Sequence, residues 1–130
     1  MVQNKLIALI FSIVLMITPA KSFDIEKYYA EPLTHSDKQG IFIFNILQGI
    51  DMFQTLEIAN NDNYYETNPI LGRHPSELQV LTYFVARGLA HYETTKMVPA
   101  KYRKFWHAYH IIYNYDVIRD NHEIGIRIGF

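Results

Sequence analysis

The sequence predicts helices over Asp37–Asn60, Pro75–Met97 and Pro99–Asp120 in a chain of 130 residues. Each is about twice the mean soluble helix of roughly 11–12 residues. At a rise of 1.5 Å per residue each spans about 30 Å, the thickness of a bilayer core. Local signals set the ends. Ser36-Asp37-Lys38-Gln39 matches a capping box, and Asn60-Asn61-Asp62-Asn63 favours turns over helix. Pro75 and Pro99 suit first helical positions, where a missing N–H costs nothing, and Glu77 suits the positive end of its helix. The last stretch, Ile124 to Phe130, alternates with period two and is expected to be a short extended tail or strand. The fold class expected is all-α, a small three-helix bundle.

Ahead of the bundle, Met1 to Lys5 is short and basic, Leu6 to Thr18 is apolar, and Pro19-Ala20-Lys21-Ser22 is a small-residue exit. This order is that of a secretory signal peptide, with cleavage expected after Ser22; an uncleaved anchor is the alternative. The expected organisation is a signal peptide over 1–22, an extended arm over 23–35 interrupted by Pro32, and one helical domain over 36–130. Removing 1–22 takes Lys5 and Lys21 and no acid. Of 12 basic and 13 acidic residues, ten basic and 13 acidic remain, a net charge of −3 over 108 positions.

Several function classes are excluded. With no cysteine, the chain carries no disulfide framework, no thiolate metal site and no lipoprotein anchor. The near-neutral charge gives no counterion-release drive toward nucleic acid. His91-Tyr92-Glu93 matches the H-x-E of zinc deaminases but lacks the paired cysteines they need. The six glycines form no phosphate-cradling loop, and no serine stands at a recognisable spacing from a base.

Membrane and periplasm compete for the bundle. Ile41–Ala59 holds only two charges, Asp51 and Glu57, and is the best spanning candidate. Arg87, His91 and Glu93 interrupt the second helix; His107, His110 and Asp116 interrupt the third. Such groups are tolerated in a bilayer when they face partners inside a bundle. With the mature N-terminus outside, Lys96, Lys101, Arg103 and Lys104 would also lie outside, against the positive-inside rule. Span length, and Tyr102, Phe105 and Trp106 at a helix entrance, favour the inner membrane.

Two polar stripes stand out. On the first helix Asn45, Gln48, Asp51 and Thr55 fall within a third of the circumference, with Ile43, Ile46, Ile50 and Phe53 opposite. On the third, Arg103, His107, His110 and Asn114 recur at helical spacing. The stripes are expected to meet inside the bundle. Polar side chains there commonly hydrogen-bond across helices and fix register. A carboxylate facing two imidazoles also suits a proton relay, or a metal site with Asp51, His107 and His110 as ligands.

Asp51-Met52-Phe53-Gln54-Thr55, followed by Glu66-Thr67-Asn68-Pro69-Ile70-Leu71-Gly72, resembles a family of small bacterial and prophage-encoded multi-helix membrane proteins. These share a D-x-x-Q-T helix and an E-x-N-P-I-L-G loop. The resemblance covers about Gln48 to the C-terminus and implies membrane spans but no activity. It nominates Asp51, Gln54, Thr55, Glu66, Asn68 and Pro69 as site residues. The function expected is that of an exported, inner-membrane-embedded accessory or interaction protein, non-catalytic and without cofactor. Its expected partners are membrane lipid and a membrane protein. A periplasmic binding module using Tyr64, Tyr65 and Asn68, and a metal-dependent hydrolase using Asp51, His107 and His110, are the alternatives.

Overall fold

The computed structural model describes residues 29 and 31–128. The segment expected to be a signal peptide and most of the expected arm lie outside the described residues. Three helices follow one another: α1 (His35–Ala59), α2 (Glu77–Met97) and α3 (Ala100–Glu123). The bundle is all-α, and no strand occurs among the described residues. α1 is the central element, packed against both α2 and α3. Its start and the α2–α3 turn form the upper end of the bundle. The α1–α2 loop and the end of α3 form the lower end.

The helix ends differ from the sequence expectation in instructive ways. The cap of α1 is Thr34 with Asp37 as the reciprocal partner, not Ser36 with Gln39. The Asp37 N–H donates to Thr34 Oγ1 (3.1 Å), and the Thr34 N–H donates to Asp37 Oδ2 (2.9 Å). Both frames satisfy the motif; the frame used also sends Asp37 inward, where a cation awaits it. Ser76 and Gln79 form a second capping box, so α2 begins two residues after Pro75. Pro99 stands at the cap of α3 and offers no side-chain hydrogen bond. Glu31 supplies one instead, its Oε2 accepting from the Ala100 N–H at 2.8 Å. Over the described residues 124–128 the tail forms no strand. Gly125 turns the chain at φ +98°, and Ile126 folds back into the lower end, 1% exposed.

The distribution of polarity is the reverse of an ordinary soluble core. Among the described residues, ten buried side chains are polar or charged and only six are hydrophobic. Large apolar side chains instead cover the outside: Phe42, Val85, Leu89, Phe105 and Ile112 are each more than 60% exposed. By length and composition, α1 is able to cross a membrane. Ile43, Ile46 and Phe53 stand on the exposed face of α1, while Gln48, Asp51 and Thr55 face inward. Asn45, at the upper end of the predicted stripe, is exposed.

Candidate functional site

The interior is a stack of polar layers along the bundle axis. At the upper end, Arg103 of α3 is completely buried. Its Nη1 lies 3.3 Å from Asp37 Oδ2. The remaining donors reach main-chain carbonyls: Nε donates to Val98 O (2.8 Å), Nη1 to Pro32 O (3.1 Å) and Nη2 to Glu31 O (3.1 Å). Arg103 thereby ties the chain ahead of α1 and the α2–α3 turn to the start of α1. A guanidinium suits this task because its donors form a rigid fork.

The next layer is aromatic. His107 Nε2 stands 3.6 Å from the second oxygen of Asp37. Its ring fills the space beside Gly40, where a Cβ would lie 2.5 Å from His107 Cγ. Below it, the His91 ring of α2 stacks on Phe44 (3.8 Å between centroids, 17° between planes) and lies nearly parallel to Trp106 at 5.6 Å. His110 stands edge-on to His91 at 5.0 Å. Three imidazoles from two helices are thus gathered in one layer. Thr95 ties the Trp106 indole to the α2 backbone beside them, accepting from Trp106 Nε1–H (3.1 Å) and donating to His91 O (2.7 Å). Both ring nitrogens of His91 and His107, and Nε2 of His110, are buried without a hydrogen-bond partner.

Asp51 occupies the middle layer and pairs with Arg87 of α2, Nη1 to Oδ2, at 3.6 Å. The same nitrogen lies 3.5 Å from Gln48 Oε1, and the guanidinium faces the Phe44 and Tyr113 rings at 5.8 and 5.9 Å. Asn114 is fully buried, and its Nδ2 donates to His110 O at 2.7 Å. At the lower end Gln54 bridges to α3, donating to Ile118 O and accepting from Asn121 Nδ2, each at 3.2 Å. Thr55 is buried beside it.

The α1–α2 loop closes that lower end. Glu66 Oε1 accepts from the Asn68 N–H (2.7 Å), and Asn68 Oδ1 accepts from the Ile70 N–H (3.0 Å). Asn68 O receives the N–H groups of Leu71 and Gly72, and Leu71 is buried as the loop's anchor. Gly72 has φ +75°, a conformation that favours glycine. Pro69 is exposed on the turn.

The two predicted stripes do converge, but with other pairings. Asp51 meets Arg87, and the carboxylate beside the histidines is Asp37. Among the described residues, no group of three or more His, Asp and Glu is placed to hold a metal ion. Asp51, His107 and His110 therefore do not form the three-ligand centre that their spacing suggested. Two surface grooves, of about 350 and 450 Å³, open beside Asn45 and beside Gln54. Neither is lined by Asp51, His91, His107 or His110.

Arg87 and His91, which interrupt the apolar pattern of α2, do face partners inside the bundle, while the inward roles of Asp37 and Gly40 were not expected. A signal for them exists. Asp37, Gly40, Phe44, Gln48, Asp51 and Thr55 follow one another at steps of three or four, as do Val80, Phe84, Arg87, His91 and Thr95. Extending the stripes past their first apolar member finds them. Compared with protein families, curated proteins and solved structures, the chain matches none.

Proposed function

We propose that the chain is a membrane-embedded three-helix protein of the bacterial inner membrane, exported and acting as a non-catalytic accessory or interaction protein. The observation that carries this reading is the inverted polarity of the bundle. In water, exposing Phe42, Val85, Leu89, Phe105 and Ile112 is opposed by the hydrophobic effect, and burying the Asp37–Arg103 pair and the Asp51 carboxylate carries a desolvation cost. In lipid, both choices become favourable, because apolar side chains meet acyl chains and polar ones meet each other.

The interior supports a structural task. Asp37 is held by Arg103 and Asp51 by Arg87, so neither carboxylate is free to act on a substrate. The His91 and His110 imidazoles are packed between Phe44 and Trp106, and His107 against Gly40, rather than opening into a groove. Fractionation tests the membrane reading. The protein is expected to stay with the membrane pellet through an alkaline carbonate wash. Release into the soluble periplasmic fraction by osmotic shock would overturn it in favour of the periplasmic binding module.

A further inference from the structure

The two ends of the bundle carry opposite charge. With histidines neutral, the upper end (29, 31–38 and 92–104) holds five basic and three acidic residues, a net of +2. The lower end (57–77 and 116–128) holds three basic and seven acidic residues, a net of −4. Arg103 and Asp37 pair with each other inside, so the outward charge of the upper end lies on lysines. Lys38 stands at the start of α1, Lys96 at the end of α2, and Lys101 and Lys104 at the start of α3. Three of their ammonium groups lie over aromatic rings: Lys96 over Tyr92 (4.9 Å), Lys101 over Tyr102 (4.8 Å) and Lys104 over Phe105 (4.8 Å). At the lower end the cations are held: Arg119 by Asp116, Asp120 and Glu123, and Arg127 against His122. At the upper end, among the described residues, the one lysine ion pair is Lys96 with Glu93. The first turn of α3 carries no acid, so Lys101 and Lys104 sit at the positive end of its dipole, against the local preference. A broken local rule of this kind marks a functional surface.

From this we infer that the upper end is a collar for anionic phospholipid headgroups, its lysine ammonium groups meeting lipid phosphates. Tyr92 and Tyr102 sit at the headgroup level, and Phe105 lies one turn deeper, on the acyl side. The inference rests on the membrane reading. Two features select lipid over an acidic protein surface. The lysines come from all three helices, so the charge is spread over the bundle end rather than gathered on one helix face. They also stand where the apolar exterior begins, with exposed Leu89 and Phe105 just below. In a bilayer that border is the interface, where tyrosines are enriched and lysine stems lie along apolar surface while their heads reach outward. Basic clusters at such a border attract anionic lipid.

Trp106, the chain's single tryptophan, stands two residues beyond Lys104 and is partly exposed, so it reports on the lipid beside the collar. The full-length protein is reconstituted in vesicles of equal parts phosphatidylcholine and phosphatidylglycerol, with brominated acyl chains on one lipid or the other. Trp106 emission is expected to be quenched more strongly by brominated phosphatidylglycerol, corresponding to an enrichment of about fivefold or more. Salt at about 0.5 M is expected to weaken the preference. Lys101→Gln combined with Lys104→Gln is expected to remove it. Arg119→Gln combined with Arg127→Gln, which takes two cations from the opposite end, is expected to leave it unchanged.

Equal quenching by the two lipids in vesicle-inserted protein overturns the collar, leaves the membrane reading standing and assigns the lysines to an acidic protein surface instead. A preference that survives the double lysine variant also overturns it. Protein that stays out of the vesicles, with Trp106 quenched by neither lipid, overturns both readings. Loss of helical circular dichroism in the double lysine variant would be a folding effect, and Lys38→Gln then decides. A reduced preference in Lys38→Gln is the expected result, and an unchanged one overturns the collar.

Discussion

The His107 ring lies so close to Gly40 that one methyl group there would sit 2.5 Å from its Cγ. This contact sets how near α3 can come to α1, and the layers below depend on that spacing. Gly40→Ala is expected to destabilise the bundle by about 2 kcal/mol, the scale of overpacking a filled site. Gly49→Ala, whose new methyl meets open space, is expected to be neutral or slightly stabilising. Thermal unfolding in detergent micelles, followed by circular dichroism, compares the two.

The Asp37–Arg103 pair predicts strong non-additivity. Either Asp37→Asn or Arg103→Met leaves one buried group uncompensated and is expected to cost about 3 kcal/mol. The double variant is expected to recover part of that loss, because an amide beside a methionine leaves no buried charge uncompensated. A double-mutant cycle on unfolding midpoints gives the coupling; near-additive effects would mean that the pair is not closed in the folded state.

Thr95 joins Trp106 to His91, and Trp106 is the chain's single tryptophan. Thr95→Val keeps the shape but removes the acceptor for the indole N–H. The expected cost is about 1 kcal/mol. Tryptophan emission should shift while far-ultraviolet circular dichroism stays unchanged. An unaltered emission spectrum would show that the indole does not rest on Thr95.

The α1–α2 loop offers a local prediction. Gly72 sits at φ +75°, so Gly72→Ala is expected to cost about 1 kcal/mol through strain alone. Asn68→Ala removes the acceptor for the Ile70 N–H and is expected to cost a similar amount. Both losses should appear as faster proteolysis of the loop, with the helices still protected.

Much of the helix layout was legible because its signals are local. Asn60 to Asn63, Pro75 and Pro99 each act within a few residues, and they placed the helix breaks within two or three positions. The meeting of the two polar stripes was legible from period alone. The pairing inside was not. Asp51 spaced like a metal ligand finds Arg87 across a helix pair, and Asp37, which matches a cap residue locally, also faces Arg103 some 66 positions away. Such choices depend on the rotation of each helix, which apolar faces normally specify. Here both faces of α1 are rich in apolar or mixed residues, and Asn45 shows the result: it shares the stripe's period, yet it lies outside.

In the proposed membrane arrangement the apolar exterior of the bundle faces lipid. Nitroxide labels at Phe105→Cys and Ile112→Cys, on the outer face of α3, test it in reconstituted bilayers by power-saturation spectroscopy. The predicted result is strong relaxation by membrane-soluble oxygen and little by a water-soluble nickel chelate at both sites. Ready access of the nickel chelate to both positions in the folded protein would contradict it.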